Sequence, residues 1–377
     1  MEPLCGTDCR AFCPFWRFIV APFRACVTCS AGRALRAYFA RHFRHFGTPG
    51  RYRFLLPDRP KKQLSTRERE PMNTLASITT HVPTIQRFTT DAAARGIWTI
   101  ISEPGDRDTG TLIAALGAEE ALNVVLHGTG DAAGLDLATL RARTRPRATE
   151  GNIAAAFAAA DTGSAELITP DHPHWPAGFN DLGTAAPYAL WVRGATEILA
   201  DPLNTAVVGA RASSGYGEHV TMEITAGLVS RGHVIISGAA YGVDGMAHRA
   251  ALASGGRTVA YLAGGLDRYY PTGHDALLTR IAETGAVASE ISFGQSPTRY
   301  RFLMRNRLIA AAARAAVVTE AGYRSGSLNI ATHAFTIARP VGAVPGPVTS
   351  PTSAGCHRLI REFGAQLVTN AEDAAAL

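Results

Sequence analysis

Residues 205–217 read Thr-Ala-Val-Val-Gly-Ala-Arg-Ala-Ser-Ser-Gly-Tyr-Gly, a short apolar run that ends in a glycine-rich loop. Residues 233–244 repeat the plan as His-Val-Ile-Ile-Ser-Gly-Ala-Ala-Tyr-Gly-Val-Asp. Further short apolar runs lie at residues 258–262, 286–289, 316–319 and 340–344. Short strands that alternate with helical segments predict right-handed crossovers and a mostly parallel sheet covered on both faces, which is an α/β fold.

The glycine-rich loops all follow predicted strands, so they are expected at the carboxyl edge of the sheet, where ligands of such folds bind. Glycine lets backbone amides approach an anion, and the following helix adds free N–H groups. A single loop of this kind is explained equally well as a tight connection. Several loops accompanied by arginines favour a phosphate site, for a nucleotide or a polynucleotide; these arginines are Arg211, Arg299, Arg301, Arg305, Arg307 and Arg324.

Several motifs occur together in one order along the chain. They are Ser237-Gly238-x-Ala240-x-Gly242-Val243-Asp244, Gly264-Gly265-Leu266-Asp267-x-x-Tyr270-Pro271, Arg305-Asn306-Arg307-Leu308-Ile309-Ala310, Ser325-Gly326-Ser327-Leu328 and Val344-Pro345-Gly346. Over roughly residues 165–370 the chain resembles the DNA-processing protein A (DprA/Smf) family. It departs from the family pattern at Leu303 and Met304, where a proline is usual, at Ala313, where a serine is usual, and at Ile330, where a threonine is usual.

The resemblance implies an extended Rossmann-like, doubly wound domain that binds single-stranded DNA. It also implies protection of incoming DNA and loading of the RecA recombinase during natural transformation. A small helical domain of the sterile-alpha-motif or helix-hairpin-helix kind precedes the Rossmann-like part in relatives. Dimerisation stays open, and no cofactor, metal, catalytic residue or membrane partner is expected.

Each predicted site residue has a physical role. Arg211 holds a phosphate or, alternatively, a neighbouring carboxylate. Ser237, Gly238 and Gly242 form an anion cradle, while Asp244 caps the next helix and could pair with His248. A helix is expected to open at Arg305 after a basic and aromatic loop. The full predicted set is Gly209, Arg211, Ser214, Tyr216, Gly217, Ser237, Gly238, Gly242, Asp244, His248, Arg305, Asn306, Arg307, Arg324, Ser325, Gly326 and Ser327.

Charge and cysteine are concentrated at the start of the chain. Residues 1–71 hold fourteen Lys and Arg against five Asp and Glu, so the remainder carries −3 of the net charge of +6. Five of the six cysteines lie there; their spacing matches no familiar metal motif, and we interpret residues 1–72 as disordered or as untranslated, with synthesis starting at Met72. Cys356 alone follows, so no disulfide framework is expected and a reducing cytoplasm is the natural setting.

The remaining chain is expected to form two domains, a helical one at residues 73–160 and the Rossmann-like one at 161–377, with no room for a C-terminal winged helix. Because no lysine follows Lys62, a Walker A phosphate loop is excluded. Two alternatives to DNA binding remain. One is a nucleoside-monophosphate phosphoribohydrolase-like enzyme, although its Gly-Gly-x-Gly-Thr run is missing, and the other is a nucleotide-sensing Rossmann module.

Overall fold

The computed structural model describes Ile78 and residues 81–128 and 131–377, which lie within a compact unit spanning Glu68–Leu377. The five cysteines of the sequence start and the whole of the 1–72 extension lie outside the described residues. The boundary expected between residues 160 and 161 falls in the last turn of a helix and stays a prediction.

The first described part is helical. Its helices are α1 (Thr90–Ile101), α2 (Arg107–Leu116), α3 (Ala118–His127), α4 (Leu137–Thr144) and α5 (Glu150–Thr162), with a two-stranded hairpin, β1 (Asp131–Ala132) and β2 (Leu135–Asp136). Side chains of Thr89, Asp106 and Thr149 accept from backbone amides at the starts of α1, α2 and α5. The break between α2 and α3 falls at Gly117, whose φ is +81°.

The second part is built on a mixed sheet of nine strands among the described residues. They are β3 (Glu166–Ile168), β4 (Leu190–Gly194), β5 (Asn204–Gly209), β6 (Val234–Ser237), β7 (Thr258–Tyr261), β8 (Ala286–Ser289), β9 (Ala315–Glu320), β10 (Val341–Ala343) and β11 (Gln366–Leu367). Their spatial order is β11-β10-β9-β5-β6-β7-β8-β4-β3. Strands β5 to β11 run parallel, and β4 pairs antiparallel with β8 and with β3.

Helices cover both faces of this sheet. They are α6 (Gly215–Ser230), α7 (Val243–Ala253), α8 (Asp275–Thr284), α9 (Arg299–Ala312), α10 (Ser327–Thr336), α11 (Ala354–Phe363) and α12 (Ala371–Ala375). Val207 faces α6 and α7 in one apolar cluster, while its neighbour Val208 faces α9 and α10 in another. Consecutive strand residues therefore bury opposite sides, which is why the central strands are apolar throughout.

The extended Rossmann-like, doubly wound fold predicted from the sequence is confirmed. The predicted strands are found to within about two residues, the usual uncertainty of strand ends. Residues 161–194, at the start of the Rossmann-like part, supply the antiparallel strands β3 and β4.

The helical part packs on the β4 side of the sheet. Trp191 on β4 is fully buried; its ring lies 5.3 Å from that of Phe157, and its indole N–H donates to the hydroxyl of Thr99 at 3.0 Å. Among the described residues no single helix is both long and apolar enough to cross a bilayer. Only α2 and α3 meet that test of length and composition, as a pair bent by 115°.

A close backbone approach fixes α2 against the 3₁₀ segment Ala177–Ala185. A Cβ on Gly110 would overlap the carbonyl oxygen of Thr184. We expect Gly110→Ala to lower the free energy of unfolding by about 1–3 kcal/mol, because the overlap outweighs the gain in helix propensity of about 1 kcal/mol. Urea denaturation measures the change.

Gly215→Ala is the matched control, since nothing lies within 4 Å of its Cβ position at the start of α6. It should change the free energy of unfolding by less than about 0.5 kcal/mol. A Gly110→Ala protein as stable as the unsubstituted chain would contradict the packing described for α2.

Candidate functional site

A cleft of about 850 Å³ opens beyond the carboxyl ends of the strands. It lies where the order in which successive strands are added to the sheet reverses. Strand β5 lies between β6 and β9, so the loops after β5 and β9 diverge at this point. Nine of the predicted residues line the cleft: Gly209, Arg211, Asp244, Arg305, Asn306, Arg324, Ser325, Gly326 and Ser327. The other eight, Ser214, Tyr216, Gly217, Ser237, Gly238, Gly242, His248 and Arg307, lie outside its lining.

Asp244 joins two strand ends rather than capping its own helix. The carboxylate accepts from the amides of Gly209 and Gly238 at 3.4 and 3.2 Å, and the N-cap position of α7 is Gly242, which has no side-chain cap. The expected capping role is therefore wrong. Burial raises the pKa of Asp244, against the opposing effect of the Arg305 charge and the amide bonds.

Gly242 is required by the backbone. Its φ is +74°, and a Cβ there would overlap the carbonyl oxygen of Ala210. The amide of Val243 donates to that same oxygen at 3.1 Å, so the loop after β5 rests on the start of α7. Ser237, expected in the anion cradle, instead donates its hydroxyl to the carbonyl of Val207 at 2.7 Å inside the sheet.

Arg305 is buried beneath the cleft. One terminal nitrogen, Nη1, donates to the carbonyl oxygens of Gly238 and Tyr261 at 2.6 and 2.7 Å. The guanidinium therefore joins the ends of β6 and β7, and any Cβ at Gly238 would overlap it. Its Nε has no hydrogen-bond partner, and burial lowers the pKa of Arg305 to about 10.

Helix α9 begins earlier than expected. The hydroxyl of Thr298 accepts from the amide of Arg301, so the helix starts at Arg299 and the expected opening at Arg305 is wrong. The basic and aromatic residues interpreted as a loop lie on the first turn of this helix. Helical spacing then sends them in different directions, which sequence order alone could not indicate.

Arg307 points away from the cleft. Its two terminal nitrogens bind both oxygens of Glu290 at 2.7 and 2.6 Å, and both side chains are at least 95% buried. Its Nε donates to the carbonyl of Ala185 at 2.9 Å. The arginine thus connects α9, the strand end after β8 and the 3₁₀ segment before β4, and we propose a positioning role for it.

Three arginines remain exposed at the cleft: Arg211, Arg299 and Arg324. None forms an ion pair with a carboxylate among the described residues, so the salt-bridge alternative for Arg211 is not realised. The guanidinium of Arg211 lies over the ring of Phe302 at 5.4 Å. Positive charge is therefore available to a ligand next to an aromatic surface.

A buried carboxylate that the sequence analysis did not single out holds the loop that carries Arg211. Glu320, at the end of β9, accepts from the amide and hydroxyl of Ser214 at 2.8 and 2.6 Å and from the hydroxyl of Thr352 at 2.6 Å. A Cβ on Gly217 would overlap its oxygen Oε2. The sequence feature that could have identified Glu320 is a carboxylate at the end of an apolar strand, because a carboxylate is seldom buried there without partners.

Residues 325–327 lie at the start of α10, whose N-cap residue is Gly326. The hydroxyls of Ser325 and Ser327 lie 2.8 Å apart, and the amide of Ser327 donates to the Ser325 hydroxyl at 3.4 Å. Asn306 faces them from α9 and donates to the side-chain oxygen of Asn329 at 3.0 Å. A helix start, two hydroxyls and the side-chain amide of Asn306 therefore line the same cleft as Arg211.

His248 does not pair with Asp244, so that hypothesis is wrong. Its Nδ1 is bonded to the hydroxyl of Thr258 at 2.7 Å, and its Nε2 has no partner. Burial, reinforced by the charges of His274, Arg305 and Arg249, lowers the pKa of His248 to about 3. Among the described residues no group of three or more His, Cys, Asp and Glu could hold a metal ion.

Residues 166–377 match the sequence model of the family described as DNA recombination-mediator protein A. The chain belongs to this family. A segment of 218 residues is 54% identical to the putative DNA processing protein DprA of Mycobacterium tuberculosis and covers 55% of this chain and 56% of that protein. The DNA processing protein DprA of Streptococcus pneumoniae is 41% identical over 191 residues, which are 51% of this chain and 67% of that protein.

Two solved structures of family members have the same fold. The DprA of Streptococcus pneumoniae aligns with a TM-score of 0.64 and 29% identity over 76% of this chain and 98% of that one. DNA processing protein A of Helicobacter pylori, described for its single-stranded DNA binding mode, aligns with a TM-score of 0.51 and 29% identity over 56% and 94% of the two chains. The chain spans about half the length of the mycobacterial relative, at 56%.

Breaking the buried pair of Arg307 and Glu290 should be costly. Arg307→Ala leaves the Glu290 carboxylate buried without its partner, and we expect a loss of about 3–5 kcal/mol in the free energy of unfolding. Urea denaturation measures it. Arg299→Ala, on the exposed side of the same helix, is the control and should change stability by less than about 0.5 kcal/mol. Equal effects of the two substitutions would contradict the assignment of Arg307 as a structural residue.

Buried histidines make stability depend on pH. Because the pKa of His248 is lowered to about 3 in the folded state, protons bind preferentially to the unfolded chain below pH 6.5. This titration makes the free energy of unfolding about 1.4 kcal/mol lower at pH 5.5 than at pH 7.5. Lowered pKa values of His233 and His333 act in the same direction.

His248→Asn keeps a polar partner for Thr258 but cannot titrate. The loss of stability on going from pH 7.5 to 5.5 should shrink by about 1.4 kcal/mol in this variant, whatever its stability at pH 7.5. Urea denaturation at both pH values measures the difference. An unchanged pH dependence would show that His248 is not held neutral.

Proposed function

We propose that the cleft binds single-stranded DNA. The observation that carries the proposal is the set of exposed arginines Arg211, Arg299 and Arg324, none of them paired with a carboxylate among the described residues, around the cleft. The carboxylate that lines the cleft, Asp244, and the buried carboxylate beneath its loops, Glu320, already accept hydrogen bonds from the protein. Phosphate oxygens can therefore reach positive charge without competing with a nearby free carboxylate.

Single strands suit this cleft better than a duplex. Phe302 lies beside both Arg211 and the buried Arg305, with guanidinium to ring distances of 5.4 and 5.7 Å. An unpaired base can stack on an aromatic ring while arginines follow its backbone, whereas paired bases have no free face to offer. The relative from Helicobacter pylori described for its single-stranded DNA binding mode supports this assignment.

The protein's cellular role is proposed from its family. The description recombination mediator supports a role in which bound DNA is protected and passed to the RecA recombinase during transformation. We place this activity in the cytoplasm, in keeping with the buried free thiol of Cys356. A homodimer is compatible with the proposal, although no described surface is assigned to it.

Binding rather than turnover is the proposed activity. Asp244 and Glu320 are fixed by backbone amides and hydroxyls, and neither is presented to the cleft as a free general base. The phosphoribohydrolase-like and nucleotide-sensing alternatives predict turnover of AMP or tight binding of mononucleotides. Both can be measured in the same experiments.

Anisotropy of a labelled oligothymidine tests the proposal. We expect Arg211→Ala and Arg324→Ala to weaken binding and to reduce the log–log salt slope by about 0.7 for each phosphate that the variant no longer neutralises. Arg280→Ala is the charge-matched control, because Arg280 is exposed on α8 and lies outside the cleft lining. Preference for duplex DNA, or AMP binding without oligothymidine binding, would contradict the proposal.

A further inference from the structure

Two exposed tyrosines continue from the cleft along the carboxyl edge of the sheet. Tyr241 follows β6 and Tyr270 follows β7, and each keeps 49% of its surface exposed. Single exposed aromatic residues are common on protein surfaces, but two that follow neighbouring strands beside a proposed ligand cleft offer it a stacking surface. Because β6 and β7 are the successive neighbours of β5, both tyrosines lie on the same side of the strand reversal.

Ring packing connects the cleft to Tyr270. The ring of Tyr270 lies 5.5 Å from that of Phe302 with an interplanar angle of 61°, an edge-on arrangement. Phe302 also lines the cleft, and a small crevice next to it is lined by Arg268, Tyr270 and Pro297. Because 49% of Tyr270 stays exposed beside this contact, ring surface remains available for stacking.

Tyr241 packs against the loop that carries Tyr270, residues 270–274. The ring of Tyr241 packs edge-on against His274 at 4.9 Å, and a Cβ on Gly273 would lie 2.6 Å from its hydroxyl. Residues 270–274 therefore support both rings. Arg268, directly before this loop, is exposed and forms no ion pair with a described carboxylate.

We propose that Arg268, Tyr270 and Tyr241 form a second subsite, here called the tyrosine strip, for nucleotides that leave the cleft. The inference rests on the proposed function and adds the direction that the DNA takes from the cleft. The single-stranded DNA crosses the loops after β6 and β7. Bases stack on the two rings, and the Arg268 guanidinium binds a phosphate between them and the cleft.

In the opposite direction, Tyr216 is 41% exposed, and its hydroxyl donates to the carbonyl of Pro345. Tyr323, in the loop after β9, is 59% exposed, but the guanidinium of Arg358 lies over its ring at 5.0 Å. Arg358 in turn binds Glu362 at 2.8 Å. Unlike Arg211 and Arg268, this arginine is already paired with a carboxylate, and a DNA strand taking that direction would bring its phosphates next to Glu362.

The test compares oligothymidines of about 4 and about 16 nucleotides, which bracket the site sizes of single-strand binding folds. Anisotropy is measured for Tyr270→Leu and Tyr241→Leu, with Tyr270→Phe and Tyr241→Phe as conservative variants and Tyr323→Leu as the matched control. Thermal denaturation checks that each variant is folded. We expect each leucine variant of the strip to weaken long-oligonucleotide binding by about 5- to 150-fold, the effect of losing one stacked base.

Short-oligonucleotide binding should stay unchanged in the leucine variants, and the phenylalanine variants should bind both lengths normally. Arg268→Ala should lower the salt slope for the long strand alone by about 0.7. If the leucine variants bind the long strand normally while Arg211→Ala does not, the tyrosine strip is wrong and the cleft assignment stands. Loss caused by Tyr323→Leu instead would reverse the proposed direction, and no binding of either length by the unsubstituted protein would reject the proposed function itself.

Discussion

The buried charges of Arg305 and Asp244 hold the ends of the three central strands together. Arg305 donates to the carbonyls of Gly238 and Tyr261, and Asp244 accepts from the amides of Gly209 and Gly238. Peptide groups at parallel strand ends have no partner in the sheet, and leaving them buried without one is costly. One cation and one anion satisfy four of these groups, so the loops that surround the cleft have a fixed base.

The arginines near the carboxyl edge of the sheet fall into two groups. Arg301, Arg305 and Arg307 are buried and hold helices and strand ends, whereas Arg211, Arg299 and Arg324 are exposed and free for a ligand. Substituting the first kind removes structure as well as charge. Loss of DNA binding in an Arg305 variant would therefore say little about direct contact, while loss in an Arg211 variant would.

The sequence predicts the fold well because short apolar strands followed by glycine loops have few other solutions. It predicts the cleft loops for the same reason, since parallel strands end at one edge. It could not divide the arginines, because the exposed Arg299 and the buried Arg301, Arg305 and Arg307 lie on one helix and differ only in the direction that each side chain takes from it. Likewise Asp244 had the sequence position of a cap, but a glycine N-cap and two amides from other strands give it a different role.

The helical part also bears on the site, through the first turn of α9. Glu103 binds Arg301 at 3.0 Å, and the hydroxyl of Tyr300 donates to the carbonyl of Pro104 at 3.0 Å. Partial burial raises the pKa of Glu103, but hydrogen bonding to Arg301 and the charges of Arg301 and Arg147 lower it overall, so the ion pair persists at neutral pH. Both contacts are made by the two residues that directly follow Arg299 in the helix. The residues after α1 therefore fix the helix turn that presents this arginine to the cleft, and the helical part supports one side of the cleft.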